Sequence, residues 1–345
     1  MARKILFASL ALAPAALAAH YVFHVNDTVL FVLAAIALIP LAWLIGEATE
    51  HVAEHTGPGV GGFFNASFGN APELIIAIFA VSGGLPEVVR GSIIGSVISN
   101  LLLVLGLSMV AGGFGEIDRR SLFLQLGVIG IAILAFLIPA VPGWDGDPER
   151  DFLYVVTVPV ATLLLLFYIG ITVYNLRKHR ATHVADAAAG AWSMRTAVIV
   201  LGIATVTTAL VSEALVGSLE EFGHTVGISE VFIASVIVAI VGNAAEHGGA
   251  IVVARRGKIK LATEIAISSA AQVAVFVAPV VALLSWAVGP GLPLSFRPVE
   301  MITLGLATVI VGLTILDGKS KRWEGWALVG VYSLMVCVFW LAGDR

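Results

Sequence analysis

The sequence predicts an all-α polytopic membrane protein: eleven transmembrane helices, arranged as an N-terminal helix and two inverted-topology five-helix repeats. Three observations predict it. Hydrophobic residues make up 59% of the 345 and charged residues 12%, about half the roughly 25% charged share of soluble proteins. Eleven apolar runs approach the ~20 residues that a span needs. A five-residue phrase, GNAPE at 69–73 and GNAAE at 242–246, occurs twice inside such runs.

The first run, 4–23, follows Arg3 and Lys4 and closes on ALAAH. That pattern also fits a cleavable signal peptide, but an ordinary first helix is the simpler reading. The next five runs are 28–48, 60–82, 88–111, 121–141 and 152–174. A polar, alanine-rich stretch, LRKHRATHVADAAAGAW at 176–192, separates them from 194–217, 228–254, 259–286, 299–316 and 325–342. The implied organisation is an N-terminal helix (1–25), a first repeat (26–176), a cytoplasmic linker (177–192) and a second repeat (193–345).

Lys and Arg favour cytoplasmic loops. With the N-terminus inside, fifteen of the nineteen basic residues fall on inside segments, and only Arg90, Arg150, Arg297 and Arg345 fall outside. The N-terminus is therefore expected in the cytoplasm and the C-terminus outside. A net charge of −4 and the lack of a basic aromatic surface stretch exclude a nucleic-acid partner. The single cysteine, Cys337, excludes a disulfide framework and a multi-thiolate metal centre.

Sliding the chain by 173 residues lays Gly69, Asn70, Ala71 and Glu73 on Gly242, Asn243, Ala244 and Glu246. The register continues: Ala77-Ile78 meets Ala250-Ile251, Ser96 meets Ser269, and Ser99 meets Gln272. After a seven-residue shift Glu47 meets Glu213 and Glu54 meets Glu220. Five helices per half is an odd number, so the second half enters the membrane from the opposite side. Transporters of that architecture place substrate near the midplane, where the repeats meet.

Glu73 and Glu246 lie deep in apolar runs, where a carboxylate is costly and functional by default. Gly-Asn before each acid loosens the helix, and Pro72 removes a donor from the first copy. Asn70, Asn243, Ser96, Ser99, Ser269 and Gln272 add oxygen ligands around the two acids. An all-oxygen set of this size suits Ca²⁺, which takes six to eight oxygens; soft metals want Cys or His. An empty, ionised pair would suffer desolvation and like-charge repulsion, so it should take up protons. Ca²⁺ and H⁺ then compete for the same carboxylates, as an antiporter requires, and no cofactor beyond the transported ions is called for. His247 beside Glu246 either relays protons or only packs there.

At these residues the chain resembles the Ca²⁺/H⁺ antiporters, the cation/proton exchangers of the wider cation/Ca²⁺ exchanger superfamily. The resemblance rests on IGEATEHVAEHTGPGVGGFFNASFGNAPELIIAIFA (45–80), GSIIGSVISNLLLVLG (91–106), SEVFIASVIVAIVGNAAEHGGAI (229–251), ISSAAQVAVFVAP (267–279) and LDGKSKRWEG (316–325). It implies that Glu73 and Glu246 are the central cation- and proton-binding acids, with Asn70, Asn243, Ser96, Ser269 and Gln272 around them. It also implies eleven helices and a location in a prokaryotic plasma (inner) membrane, since acidic linkers of eukaryotic type are missing. One departure is Ser268-Ser269-Ala270-Ala271-Gln272, where the family usually has a GSSLQ-like segment. A homo-oligomer is compatible with the sequence but not specified by it.

Rival readings are exchange of Na⁺ or K⁺ for H⁺, or of Na⁺ for Ca²⁺, and a membrane zinc hydrolase using His51-Val-Ala-Glu54-His55, an H-x-x-E-H pattern. The hydrolase reading explains nothing about Glu246, and an enzyme is not expected. Glu47, Glu50 and Glu54 read better as an acidic mouth that concentrates cations, with Glu213, Glu220 and Glu221 doing the same on the other side. Asp145, Asp147, Glu149 and Asp151 read as a solvated acidic loop.

Overall fold

The computed structural model describes residues 2–178, 192–289 and 291–343. Most of the expected linker, residues 179–191, and two of the counted charges, Arg180 and Arg345, lie outside them. The described chain is almost wholly helical. By length and composition seven helices could cross a membrane, or eight if Leu219–Val226 and Glu230–Gly242, bent by 115°, form one span. Three shorter apolar helices add to these: Leu6–Tyr21, Ala71–Ser82 and Pro298–Thr314.

The helices run in order α1 Ala2–Ser9, α2 Leu12–Tyr21, α3 Asp27–Phe68, α4 Ala71–Ser82, α5 Pro86–Ile98, α6 Leu105–Gly112, α7 Arg119–Gly143 and α8 Asp151–Lys178. Then follow α9 Met194–Gly217, α10 Leu219–Val226, α11 Glu230–Phe232, α12 Ala239–Gly242, α13 Ala244–Arg255, α14 Ile259–Gln272, α15 Ala278–Val288, α16 Pro298–Thr314 and α17 Arg322–Ala342. π-Helical turns join α5 to α6 (Ser99–Val104), α11 to α12 (Ile233–Val238) and α14 to α15 (Val273–Val277). A two-residue antiparallel ribbon pairs β1 (Gly115–Glu116) with β2 (Lys319–Ser320).

The first helix carries a turn at Leu10–Ala11, between α1 and α2, but runs on as one apolar helix, Leu6–Tyr21. One expectation about continuity is corrected. The second and third runs are not separated by a loop: α3 is one helix of 42 residues. The helix continues through GEATEHVAEHT and through Gly57-Pro58-Gly59 as well, and Phe64 and Phe68 beyond them still pack on the Ile45, Ala48 and Val52 cluster. Thr49 and Thr56 donate to the carbonyls of Ile45 and Val52, and His51 bonds Glu54 at 3.0 Å, one turn on. The interruption comes instead at Gly69-Asn70.

The chain divides into two compact units. Unit 1 comprises Met1–Phe79, Leu166–Val226 and Val241–Ala245. Its spine is α3 against α9. Ile45, Ala48 and Val52 pack on Ala197, Leu201 and Ala204, while Leu30 packs on Ala214. The two helices are therefore antiparallel, with small residues letting them approach. Phe31 stacks on Phe222 at 4.2 Å between ring centroids.

Unit 2 comprises Ala80–Leu165, Gly227–Ile240 and Glu246–Arg345. Its central span, Pro86–Gly112, is buried over most of its apolar length. Gly91 and Gly95 let α5 meet the Ile233–Val238 turn main chain to main chain: a Cβ on Gly95 would collide with the Ser235 carbonyl. The extended segment 291–297 lies buried without ladder partners, so side chains satisfy it. Ser285 Oγ and Thr157 Oγ1 accept from the Leu292 and Leu294 amides, and Trp144 Nε1 donates to the Phe296 carbonyl. Arg90, fully buried, donates to the Pro293 carbonyl and the Ser295 hydroxyl, and pairs with Glu87 at 2.9 Å and Glu149 at 2.5 Å. Glu149 stays exposed, as a solvated acidic loop requires, but it also pairs with the buried Arg90, because a buried guanidinium must be paired.

The Gly95 contact yields a stability test. Gly95→Ala should destabilise by about 1–3 kcal/mol through overpacking. Gly127→Ala, where an added Cβ meets nothing within 4 Å, should be neutral or stabilising by up to about 1 kcal/mol. Thermal unfolding in detergent measures both; equal melting temperatures would contradict the close approach.

Candidate functional site

The two repeated phrases sit at two equivalent helix starts. α3 ends at Phe68 and α4 begins at Ala71; α12 ends at Gly242 and α13 begins at Ala244. α4 and α13 each have 12 residues and start 173 positions apart. Each carries its acid, Glu73 or Glu246, in the first turn. There the unpaired amides and the helix dipole favour negative charge, while the preceding helix end leaves carbonyls free to meet a cation.

In unit 1, Asn70 is fully buried at the α3–α4 break, and its carbonyl accepts from the Leu74 amide. Asn243 is the single residue between α12 and α13 and is also buried. The Glu73 side chain lies against Gly242, whose Cβ, if it had one, would stand 3.3 Å from the Glu73 Cγ. That glycine gives the carboxylate its room. Glu73 is 9% exposed, and both of its oxygens are buried without a hydrogen-bond partner among the described residues. Two buried, unpartnered acceptor oxygens call for a proton or a cation.

In unit 2, Glu246 accepts a hydrogen bond from the Ser269 hydroxyl, which in turn accepts from Asn100 Nδ2 at 3.2 Å. Ser269 therefore couples an acid on α13 to an amide in the first π-helical turn. Ser96 and Ser99 are both buried, and Ser99 Oγ donates to the Ser96 carbonyl at 3.1 Å. Gln272 directs its amide nitrogen to Ser268 Oγ at 3.3 Å, one turn back on its own helix. His247 is buried. Asn100 was not anticipated. It follows Ser96 by four residues, on the same helix face, but its counterpart in the second repeat is Val273, so a comparison of repeats passes over it. Two of the three π-helical turns carry or border these polar positions, Ser99–Val104 with Ser99 and Asn100 and Val273–Val277 directly after Gln272, a recurrent association at functional sites.

The two acidic sets expected to form cation mouths lie at opposite ends of the α3–α9 pair. Glu47, Glu50 and Glu54 stand level with the start of α9, and Glu213, Glu220 and Glu221 lie at its end and in α10. Twenty helical residues, about 30 Å, separate the two levels along α3. Glu47 and Glu54 flank His51, at 3.8 and 3.0 Å, and Tyr21 donates to Glu213 at 3.2 Å. The His51 ring also lies 4.6 Å from that of Trp192, centroid to centroid. Its Nδ1 is taken by Glu54, while its Nε2 is buried without a hydrogen-bond partner among the described residues.

The sodium/calcium exchanger protein family model matches residues 26–177 and 196–341. The chain is 37% identical over 335 residues to the Ca²⁺/H⁺ antiporter ChaA of Bacillus subtilis, covering 92% of this chain and 93% of that protein. It is 33% identical over 363 residues to a Ca²⁺/H⁺ antiporter of Aphanothece halophytica, covering 97% and 96%. Its fold matches the structure of native YfkE with a TM-score of 0.85 at 34% identity, over 97% of this chain and 99% of that one. These are transporters and not enzymes, and a multi-pass membrane protein is what the helices describe. Two antiporter relatives matched almost end to end, a matching solved structure and a family model spanning both halves leave one assignment: the chain belongs to the Ca²⁺/H⁺ antiporters of the sodium/calcium exchanger family.

Proposed function

We propose that the protein exchanges Ca²⁺ for H⁺ across a prokaryotic plasma membrane by alternating access, exporting cytosolic Ca²⁺, with Glu73 and Glu246 as the acids that take up either ion. The single observation that carries this is the pair of carboxylates in the first turns of two equivalent helices, each preceded by a Gly-Asn break. The curated relatives named as Ca²⁺/H⁺ antiporters support the choice of ions. Two carboxylates balance one divalent charge, and the surrounding oxygens of Asn70, Asn243, Ser96, Ser99, Ser269 and Gln272 are the hard ligands that Ca²⁺ prefers. Ser269 holds the Glu246 carboxylate in position, and Asn100 holds Ser269.

The topology proposed with it has eleven crossings, two inverted repeats joined by the 177–192 linker, and a cytoplasmic N-terminus. In this proposal the seven long helices, the three short apolar ones and the broken segment around Asn243 are assigned as those crossings. Two of the four basic residues on the outer side, Arg90 and Arg297, are buried and ion-paired with Glu87, Glu149 and Glu300. The asymmetry of exposed positive charge is thus sharper than the raw count. Glu47, Glu50 and Glu54 gather cations at the cytoplasmic end, and Glu213, Glu220 and Glu221 at the outer end.

Coupling follows from the cost of an empty site. Two ionised carboxylates with neither protons nor Ca²⁺ resist passage through a dry intermediate, because nothing offsets their desolvation. Only loaded forms cross, so one flux requires the other. On the outer, more acidic side the acids load protons and release Ca²⁺; on the inner side they lose protons and take up Ca²⁺.

Glu73→Gln and Glu246→Gln should each reduce proton-gradient-driven ⁴⁵Ca²⁺ uptake into proteoliposomes to background, with Na⁺ present or absent. An amide neither releases a proton nor balances Ca²⁺, so substantial exchange by either variant would refute the role of that acid.

Apparent Ca²⁺ affinity should fall as pH drops on the Ca²⁺-binding side, because protonated carboxylates no longer bind the cation. Stopped-flow flux at several pH values measures this. Ca²⁺ flux unchanged with the gradient collapsed and no counter-cation present would indicate a uniporter instead.

His51→Gln together with His55→Gln should leave transport at least partly intact, because these side chains shape the acidic mouth and take no part in zinc chemistry. Purified wild-type protein that held stoichiometric zinc, lost with all activity in the double variant, would count against this.

A further inference from the structure

At one end of unit 2 the β1–β2 ribbon sets the starts of α7 and α17 side by side, with Gly115 opposite Ser320 and Glu116 opposite Lys319. Most carboxylates here are already engaged. Asp118 caps α7 by accepting from the Ser121 amide and pairs with Lys260 at 3.0 Å. Lys321 takes both Asp317, at 2.5 Å, and Glu324, at 2.9 Å. Arg119 and Arg120, in the first turn of α7, are exposed and form no ion pair among the described residues.

The two arginines open onto apolar surface. Arg119 lies over the Phe123 ring, its guanidinium carbon 5.6 Å from the centroid. Arg119, Arg120, Phe123 and Leu124 line an open groove of about 530 Å³. Beyond the groove the outward face of α7 continues through Gly127 to Ile131, Leu134 and Ile138, all exposed. An added Cβ at Gly127 or Gly130 would meet nothing within 4 Å, so this strip is shallow. A long apolar helix with an outward apolar stripe faces lipid tails, and arginines at its end stand at the level of the head groups.

We propose that this groove binds one anionic phospholipid, its phosphodiester held by Arg119 and Arg120 and one acyl chain lying over Phe123, Leu124 and the shallow strip at Gly127. Guanidinium groups match phosphate oxygens in geometry as well as charge. The occupant is anionic and not zwitterionic because the groove offers no carboxylate for an ammonium: none of its lining residues is acidic, and neighbouring Asp118 is committed to Lys260. Exposed Lys319 and Arg322 add to the attraction for an anionic head group. The site borders α14 through the Asp118–Lys260 pair, and α14 carries Ser269.

Thermal unfolding of the full-length protein in detergent, with phosphatidylglycerol, phosphatidylcholine or soluble glycerol phosphate added, tests this. Phosphatidylglycerol should raise the melting temperature a few degrees more than phosphatidylcholine does, and glycerol phosphate should not. R119Q/R120Q should lose that difference while melting normally in phosphatidylcholine. R255Q/R256Q, which removes the same charge from another exposed pair, should keep it. Gly127→Leu, which fills the strip without meeting a neighbour, should lower the number of phosphatidylglycerol molecules retained in native mass spectrometry, and so should R120Q alone. Survival of the difference in R119Q/R120Q, equal loss in R255Q/R256Q, reproduction of the effect by glycerol phosphate, or unchanged retention by both G127L and R120Q would each overturn the proposal.

Discussion

The cost of polar main chain and carboxylate away from water governs this structure. An unpaired peptide group in hydrocarbon costs several kcal/mol, and an ionised acid costs more. Breaking a helix at Gly69-Asn70 and again at Asn243 exposes both kinds of group in the middle of apolar sequence. Neighbouring features offset or use that cost. Gly242 makes room for Glu73, Ser269 and Asn100 tie down Glu246, and buried asparagines occupy the breaks themselves. Once the breaks exist, small and hydroxyl-bearing residues must surround them, and the helix lengths around them follow.

The same cost orders the charges. Arg90 and Arg297 are buried; Glu87, Glu149 and the Pro293 carbonyl hold the first, and Glu300 and the Gly343 carbonyl the second. They let an extended segment at 291–297 stay inside the protein without a sheet. Among the described residues, Arg119, Arg120, Arg195, Arg255, Arg256 and Arg322 are exposed at helix ends, where long basic side chains reach water. Charge is therefore used in two ways: as paired internal scaffolding, and as an exposed fringe that meets the membrane surface.

Much of this is legible in the sequence because its strongest signals are local. Gly-Asn with Pro72 announces a break wherever it stands, and a glutamate in an apolar run stands out. The 173-residue register also carries helix lengths, since α4 and α13 agree to the residue. What escapes is set by longer-range packing. The continuity of α3 through 49–59, despite Gly57-Pro58-Gly59, goes with packing of the helix on both sides of them in the α3–α9 cluster. The burial of Arg90 depends on a segment two hundred residues away. Asn100 has no counterpart in the second repeat, so symmetry hides it. The π-helical turns leave no compositional trace at all.

The contact at Gly95 has a consequence for how this sequence can drift over time. A clash between two side chains can be relieved by a second mutation that shrinks the neighbour. At Gly95 the obstacle is the main chain of Ser235, which every amino acid shares. No compensating change at position 235 can make room, so tolerance at 95 is independent of its partner's identity. Lineages that vary freely around this crossing should keep glycine at 95 while Ser235 itself is replaced.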